Sequence, residues 1–228
     1  MATRQLRPKE ETVADFLREG IISGRFARGE RLKQQEIADL LNTSITPVRE
    51  ALKLLEAEGY ITADNYRGAT VAPFDIEASR EVLDLRILLE TRLVQAAVGK
   101  ATGEDIAELK VLAAEFARAF DAGDNEGARA ANYRFHHRLF EIASMPQTLH
   151  FVQNLWARYP FDLINQLKGR VSRAAEEHDE MLGAIIASDA AAAMLATRQH
   201  IEAGWQELRD SLAAETLETS GQTEKSTT

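Results

Sequence analysis

Residues 34–61, QQEIADLLNTSITPVREALKLLEAEGYI, constrain this chain most, because they hold two short helical patterns separated by a turn that few folds accommodate. QQEIADLL (34–41) reads as a helix burying Ile37, Leu40 and Leu41. Ser44 or Thr46 is placed to cap the next helix, and Pro47 falls in its first turn, where a missing N–H costs nothing. In that next helix Val48, Leu52 and Leu55 recur at i, i+4 and i+7 and face inward. This leaves Ile45, Arg49 and Lys53, also four apart, on the opposite face.

The flanks complete a pattern. Val13, Phe16, Leu17 and Ile21 predict a first helix over 12–23 that stops at Gly24. YITADNYRGATVAPF alternates as a hairpin, with Asn65, Arg67 and Gly68 near its tip. Three short helices and a two-stranded wing make a winged helix-turn-helix over residues 9–74, whose third helix enters the major groove of DNA. Arg49, in the first turn of that helix, is then placed to reach a phosphate or the O6/N7 edge of guanine, and Arg67 the backbone or minor groove. The plainer alternative pairs Arg49 with Glu50 or Glu56 on a solvated face.

Charge agrees with a division of labour. The chain of 228 residues has a net charge of -9, but residues 1–74 carry 11 Lys+Arg against 11 Asp+Glu, and residues 75–228 carry 16 against 25. Contact with a polyanion therefore belongs to the first third. With no cysteine there is no disulfide framework or thiolate metal site. No apolar run approaches a membrane span, and MATRQLRPKEE lacks a signal region, so the expectation is a cytoplasmic protein without membrane contact.

Residues 75–214 read as helix throughout. Apolar positions recur at helical spacing in Val82, Leu85, Leu89, Leu93 and Ala96, and again in later stretches ending with Ile201, Trp205, Leu208 and Leu212. Breaks fall near Gly99, Gly123, Met145-Pro146, Gly169 and Ser188-Asp189. The expected fold is mainly α: the N-terminal winged helix-turn-helix, then an antiparallel all-helical bundle of about six helices. The polar tail, 215–228, is expected to be disordered.

Three histidines carry the chemistry of the bundle. His136 follows Asn132 by one helical turn, His178 lies on an apolar stripe with Met181 and Ile185, and His200 borders the Ile201, Trp205 stripe. Three imidazoles and an amide oxygen at core margins can converge on a divalent metal, or each can be a core histidine bonded to a carbonyl. His137 and His150 are read as surface or packing residues. Arg86 and Glu90, one helical turn apart, read by spacing alone as a surface i, i+4 pair.

GRFARGERLKQQEIADLLNTSITPVREALKLLEAEGYI…RGATV resembles the DNA-binding domain of GntR-family bacterial transcription regulators, with its G-x-x-x-x-G-x-x-L, S-x-T-P-V-R-E-A-L and R-G-x-x-V signatures. The resemblance implies DNA contacts from Ser44, Ile45, Thr46, Arg49, Lys53, Arg67 and Gly68. Ile45 stands where the family usually has arginine. It cannot hydrogen-bond a base but can pack on a thymine methyl, so the family's usual operator is not expected unchanged.

N-Y-R-F-H, A-A-E-E-H-D-E-M-L-G-A-I and M-L-A-T-R-Q-H-I resemble the FCD effector domain of the FadR subfamily, over 75–214. That resemblance implies a divalent metal, zinc first with nickel or manganese as alternatives, held by Asn132, His136, His178 and His200. It also implies a small organic acid effector near Arg86 and Glu90, and a homodimer on a palindromic double-stranded DNA operator. Asn132 stands where aspartate is common, which removes one negative charge from the site. A metal-dependent hydrolase with an accessory DNA-binding domain is the alternative, but no HExxH, phosphate loop or marked general base supports it, so a regulator rather than an enzyme is expected.

Overall fold

The computed structural model describes residues 8–64, 68–73, 76–164, 167 and 169–225. The N-terminal unit runs α1 (Lys9–Ile22), α2 (Gln34–Leu40), α3 (Ile45–Glu58), β1 (Ile61–Asp64) and β2 (Gly68–Val71). The strands pair antiparallel, with Ile61 opposite Val71 and Asp64 opposite Gly68, and Arg31 bridges to Thr70 on the free side of β2.

Local chemistry explains these elements. The inward face of α3 is Val48, Ala51, Leu52 and Leu55, which packs on Leu17 and Ile21 of α1. Gly59 ends α3 with φ +89°, the left-handed conformation a side chain resists, and the chain turns directly into β1. Arg18 on α1 donates from Nε and Nη2 to the Glu58 carboxylate, each bond 2.7 Å, locking α1 to the end of α3 in a buried two-point pair.

Two expectations need correction here. Ser44 occupies the cap position of α3 but makes no side-chain capping bond, and the helix begins at Ile45. Leu40 is 63% exposed rather than buried, because the short α2 turns only Ile37 and Ala38 into the core.

The bundle contains α4 (Ile76–Val98), α5 (Gly103–Asp121), α6 (Asn125–Ile142), α7 (Pro146–Ala157), α8 (Phe161–Ile164), α9 (Arg170–Ile186) and α10 (Ala190–Lys225). The predicted breaks coincide with helix ends; α8, a single turn, has too few residues to leave a periodic signature. Thr102 begins α5 with a reciprocal capping box to Asp105. On α4 the predicted stripe is largely inward, with Val82 and Leu93 buried and Leu89 and Ala96 packed against the core, but Leu85 is exposed, and the buried face also takes in Leu83, Arg86, Ile87, Glu90 and Val94. α10 continues to Lys225, through most of the segment read as disordered. Extending a formed helix costs far less than nucleating one, and no proline interrupts it.

The two units share one apolar cluster, in which Leu17, Val48 and Tyr60 join Leu93, Tyr133, Leu139 and Trp156. Polar bonds cross the same junction. Arg134 on α6 donates to Glu19 at 2.6 Å, and Tyr60 donates to the Gln153 carbonyl at 2.9 Å. Arg28, between α1 and α2, donates to the carbonyls of Ala72, Ala157 and Tyr159 at 3.1, 3.1 and 3.0 Å. No helix is long and apolar enough to cross a membrane, among the described residues.

Candidate functional site

α3 presents the predicted DNA-facing row. Ser44, Ile45, Thr46, Arg49 and Lys53 are all exposed. Glu50 takes 3.5 Å and 3.1 Å ion pairs from Arg49 and Lys53. Such exposed pairs contribute little to stability and exchange readily for phosphate. The structure shows the solvated pair of Arg49 with Glu50 and leaves the side chain exposed. Gly68 opens β2 with φ +73°, beside the Arg31 guanidinium. Arg67 lies outside the described residues.

The histidines converge from three helices: His136 from α6, His178 from α9 and His200 from α10. One ligand-capable atom from each ring lies within 4.8 Å of those from the other two. His136 Nε2 and His178 Nε2 are 3.1 Å apart. Two nitrogens each about 2.1 Å from one ion stand roughly 3–3.4 Å apart, so this spacing already suits a shared metal. Phe135 stacks on the His178 ring at 4.5 Å and Phe116 meets its edge at 5.0 Å, so the pocket wall is apolar.

Burial, and then the neighbouring positive groups, push His136 and His178 well below the ordinary imidazole range. Burial likewise lowers His200, against the pull of Glu177. Neutral imidazoles keep the lone pairs a metal needs. The Nδ1 atoms of His136 and His178 are buried without a partner. Two core histidines with one hydrogen bond between them are poorly satisfied by protein alone, and the donor set fits a divalent ion of the zinc type. The alternative of core histidines bonded to carbonyls is not what these two rings do.

A small cavity, about 30 Å³, adjoins the cluster. Its lining includes Arg86, Asn132, Tyr159, Phe161, Arg170 and His200. Asn132, one turn before His136, therefore faces the same space as His200. Arg86 and Glu90 are not the surface pair considered above: they are 4% and 1% exposed, joined at 2.6 Å. The Trp156 indole also donates to Glu90 at 2.8 Å. The Arg86 guanidinium carbon lies 4.1 Å from the Tyr159 ring centroid and 4.7 Å from that of Phe161.

Two residues here escaped the sequence reading. Arg170 donates to both Glu177 oxygens, at 2.8 and 2.7 Å, and His200 Nδ1 stands 2.6 Å from Glu177 Oε2. Burial opposes ionisation of Glu177, but the bonds from His200 and Arg170 outweigh it and hold the carboxyl down at about 2. The available signal was the seven-residue spacing of Arg170 and Glu177, two turns along one face of α9, immediately before His178.

Residues 9–71 match the gntR family of bacterial regulatory proteins, and residues 81–203 match the FCD domain. The chain belongs to the GntR family, with an FCD domain. It is similar to the HTH-type transcriptional regulator McbR of Escherichia coli K12, 29% identical over 183 residues covering 78% of this chain and 82% of that protein. It is also 28% identical to the HTH-type transcriptional repressor GlaR of the same organism, over 82% of this chain and 89% of that one. The solved structure of E. coli McbR/YncC superposes with a TM-score of 0.79 at 25% identity, over 91% of this chain and all of that one. This GntR-family protein is a transcriptional regulator and not an enzyme, which removes the hydrolase alternative. Members of the family bind DNA, and FCD domains bind small-molecule effectors.

Proposed function

We propose that this regulator is a cytoplasmic repressor that binds a palindromic operator as a homodimer and is released when a small organic acid enters the cavity beside the histidine cluster. The carrying observation is the composition of that cavity: buried guanidinium, amide and imidazole groups of Arg86, Arg170, Asn132 and His200 share one space. Similarity to a protein named as a repressor supports the sign of regulation. Ser44, Ile45, Thr46, Arg49, Lys53 and the wing from Gly68 face the DNA, with Ile45 against a thymine methyl.

His136, His178 and His200 hold a divalent metal, zinc in first place, with Asn132 at the margin. The ion supplies a Lewis-acidic, positively charged anchor for a carboxylate. The chain's own residues orient the acid: Arg86, kept in place by Glu90 and the Tyr159 ring, meets its far end.

A space of about 30 Å³ has room for a water or two rather than an organic acid. Occupancy must therefore displace the wall. Tyr159 and Phe161 belong to the short α7–α8 corner, the part of the lining not set in a long helix. The carbonyls of Ala157 and Tyr159 in that corner hold Arg28 of the DNA-binding unit. A ligand that moves the corner thus has different affinities for two arrangements of the protein, which release from DNA requires.

Thermal shifts of zinc-loaded protein against a panel of organic acids, followed by operator gel shifts with the acids that stabilise it, test this reading. A ligand at 100 times its dissociation constant adds about 2.7 kcal/mol. Acids that stabilise the protein but leave operator binding unchanged would reject the release mechanism.

A further inference from the structure

The three imidazoles are not equivalent. His136 and His178 have no partner at Nδ1, and the 3.1 Å contact between their Nε2 atoms does not fix which of the two rings donates. At His200 the Nδ1 atom stands 2.6 Å from Glu177 Oε2. Arg170 Nη2 also stands 3.2 Å from Nδ1, but the carboxylate, which accepts only, is the nearer partner, so Nδ1 carries the hydrogen and the lone pair falls on Nε2. Glu177 is itself held by two parallel bonds from Arg170, a planar fork that fixes its plane. Arg170 is buried, 3% exposed, and it lines the cavity while Glu177 does not.

We infer that Glu177 is a positioning residue that sets the tautomer of His200 for metal binding, and that Arg170, by holding Glu177, ties this setting to the cavity wall. The inference rests on the metal reading above. A carboxylate behind a liganding imidazole fixes the ring and raises its basicity, and removing one typically costs about 10–100-fold in metal affinity. In this chain Asn132 brings no charge to the site, so Glu177 is the carboxylate bonded directly to the cluster. Arg170 is the group through which an anion in the cavity perturbs it. An acid that draws the Arg170 fork away from Glu177 loosens the grip on His200, so cavity occupancy and metal affinity are coupled through residues that are not ligands.

Two measurements on the full chain test this. The first is metal-free: nitrogen-15 spectra of the imidazoles, expected to show His200 as one Nδ1–H tautomer in wild type and a mixture in Glu177→Gln. The second is zinc affinity by competition with a chromophoric chelator, expected to fall about 10–100-fold in Glu177→Gln. Arg170→Lys, which keeps the charge but not the fork, should lower zinc affinity several-fold in wild type and clearly less in the Glu177→Gln background, where only the direct Arg170 contacts to His200 at 3.2 and 3.4 Å are left to lose. Arg170→Lys also serves as the test should the Gln variant not fold. An unchanged His200 tautomer, a zinc affinity within twofold of wild type, or independent effects of the two substitutions would each overturn the proposal. Wild-type protein that binds no zinc overturns the metal reading and the proposal with it, an outcome distinct from wild type and Glu177→Gln binding zinc equally.

Discussion

Arg28 and Tyr159 join the two halves of the molecule: the Arg28 guanidinium donates to the Tyr159 carbonyl at 3.0 Å, while the ring of the same tyrosine lies 4.1 Å from the Arg86 guanidinium carbon at the cavity. One residue thus touches the DNA-binding unit through its backbone and lines the cavity with its side chain. Arg28→Ala should keep acid affinity within a few-fold but remove most of the acid's effect on operator binding. Allosteric couplings are typically about 1–3 kcal/mol, and that is the quantity expected to shrink. Operator titrations with and without acid, on wild type and variant, measure it. An undiminished effect in Arg28→Ala would show that coupling runs elsewhere in the junction.

On the DNA face, Arg49→Ala should cost specific operator binding about 1–3 kcal/mol, the range for a good base contact. Lys53→Ala should weaken all sequences alike and reduce the salt dependence by about one phosphate contact. Fluorescence anisotropy over a salt series separates the two. Wild-type affinity in Arg49→Ala would mean that α3 docks differently.

Metal-free protein should lose stability in acid, and the sign follows from the depressed histidines. His136 and His178 lie well below the ordinary range in the folded state because they are buried. Their unfolded value is about 6.5. Above that pH both states are neutral and stability is flat. Below it the unfolded chain takes up protons that the folded chain refuses, and stability falls by about 1.4 kcal/mol per pH unit for each such ring until the folded value is reached. Urea unfolding at several pH values reads this slope. His178→Ala should reduce it by one ring and should strip the metal, as elemental analysis would record; full metal content in that variant would exclude the cluster as the site.

Asn132→Asp restores a negative charge beside His136. An amide oxygen offsets none of a divalent ion's charge, so on the proposed mechanism a metal-loaded wild-type site should favour an incoming anion. The variant should bind zinc more tightly and the organic acid more weakly. Paired calorimetric titrations decide it: if the variant binds both more tightly, the acid does not sit on the metal.

Much of this protein was legible in its sequence because the deciding signals are local. The turn between α2 and α3, the 3.6-residue stripes and the glycine and proline breaks depend on neighbours within a few residues, and they fixed the winged helix-turn-helix and the all-helical bundle. The candidate ligands His136, His178 and His200 were legible for a different reason, since polar rings on apolar stripes stand out and the family pattern names them. Tertiary structure alone decided that Arg86 and Glu90 of α4 are buried. Burying that pair required Trp156 from α7 and Tyr159 beyond it, partners about 70 positions away in the chain. It also decided that Arg170 and Glu177 stand behind His200 and that Arg28 holds the α7–α8 corner. A charged side chain carries no periodic signature of burial. Its place depends on whether distant elements bring the hydrogen-bond partners that make burial tolerable, and only the folded chain specifies those.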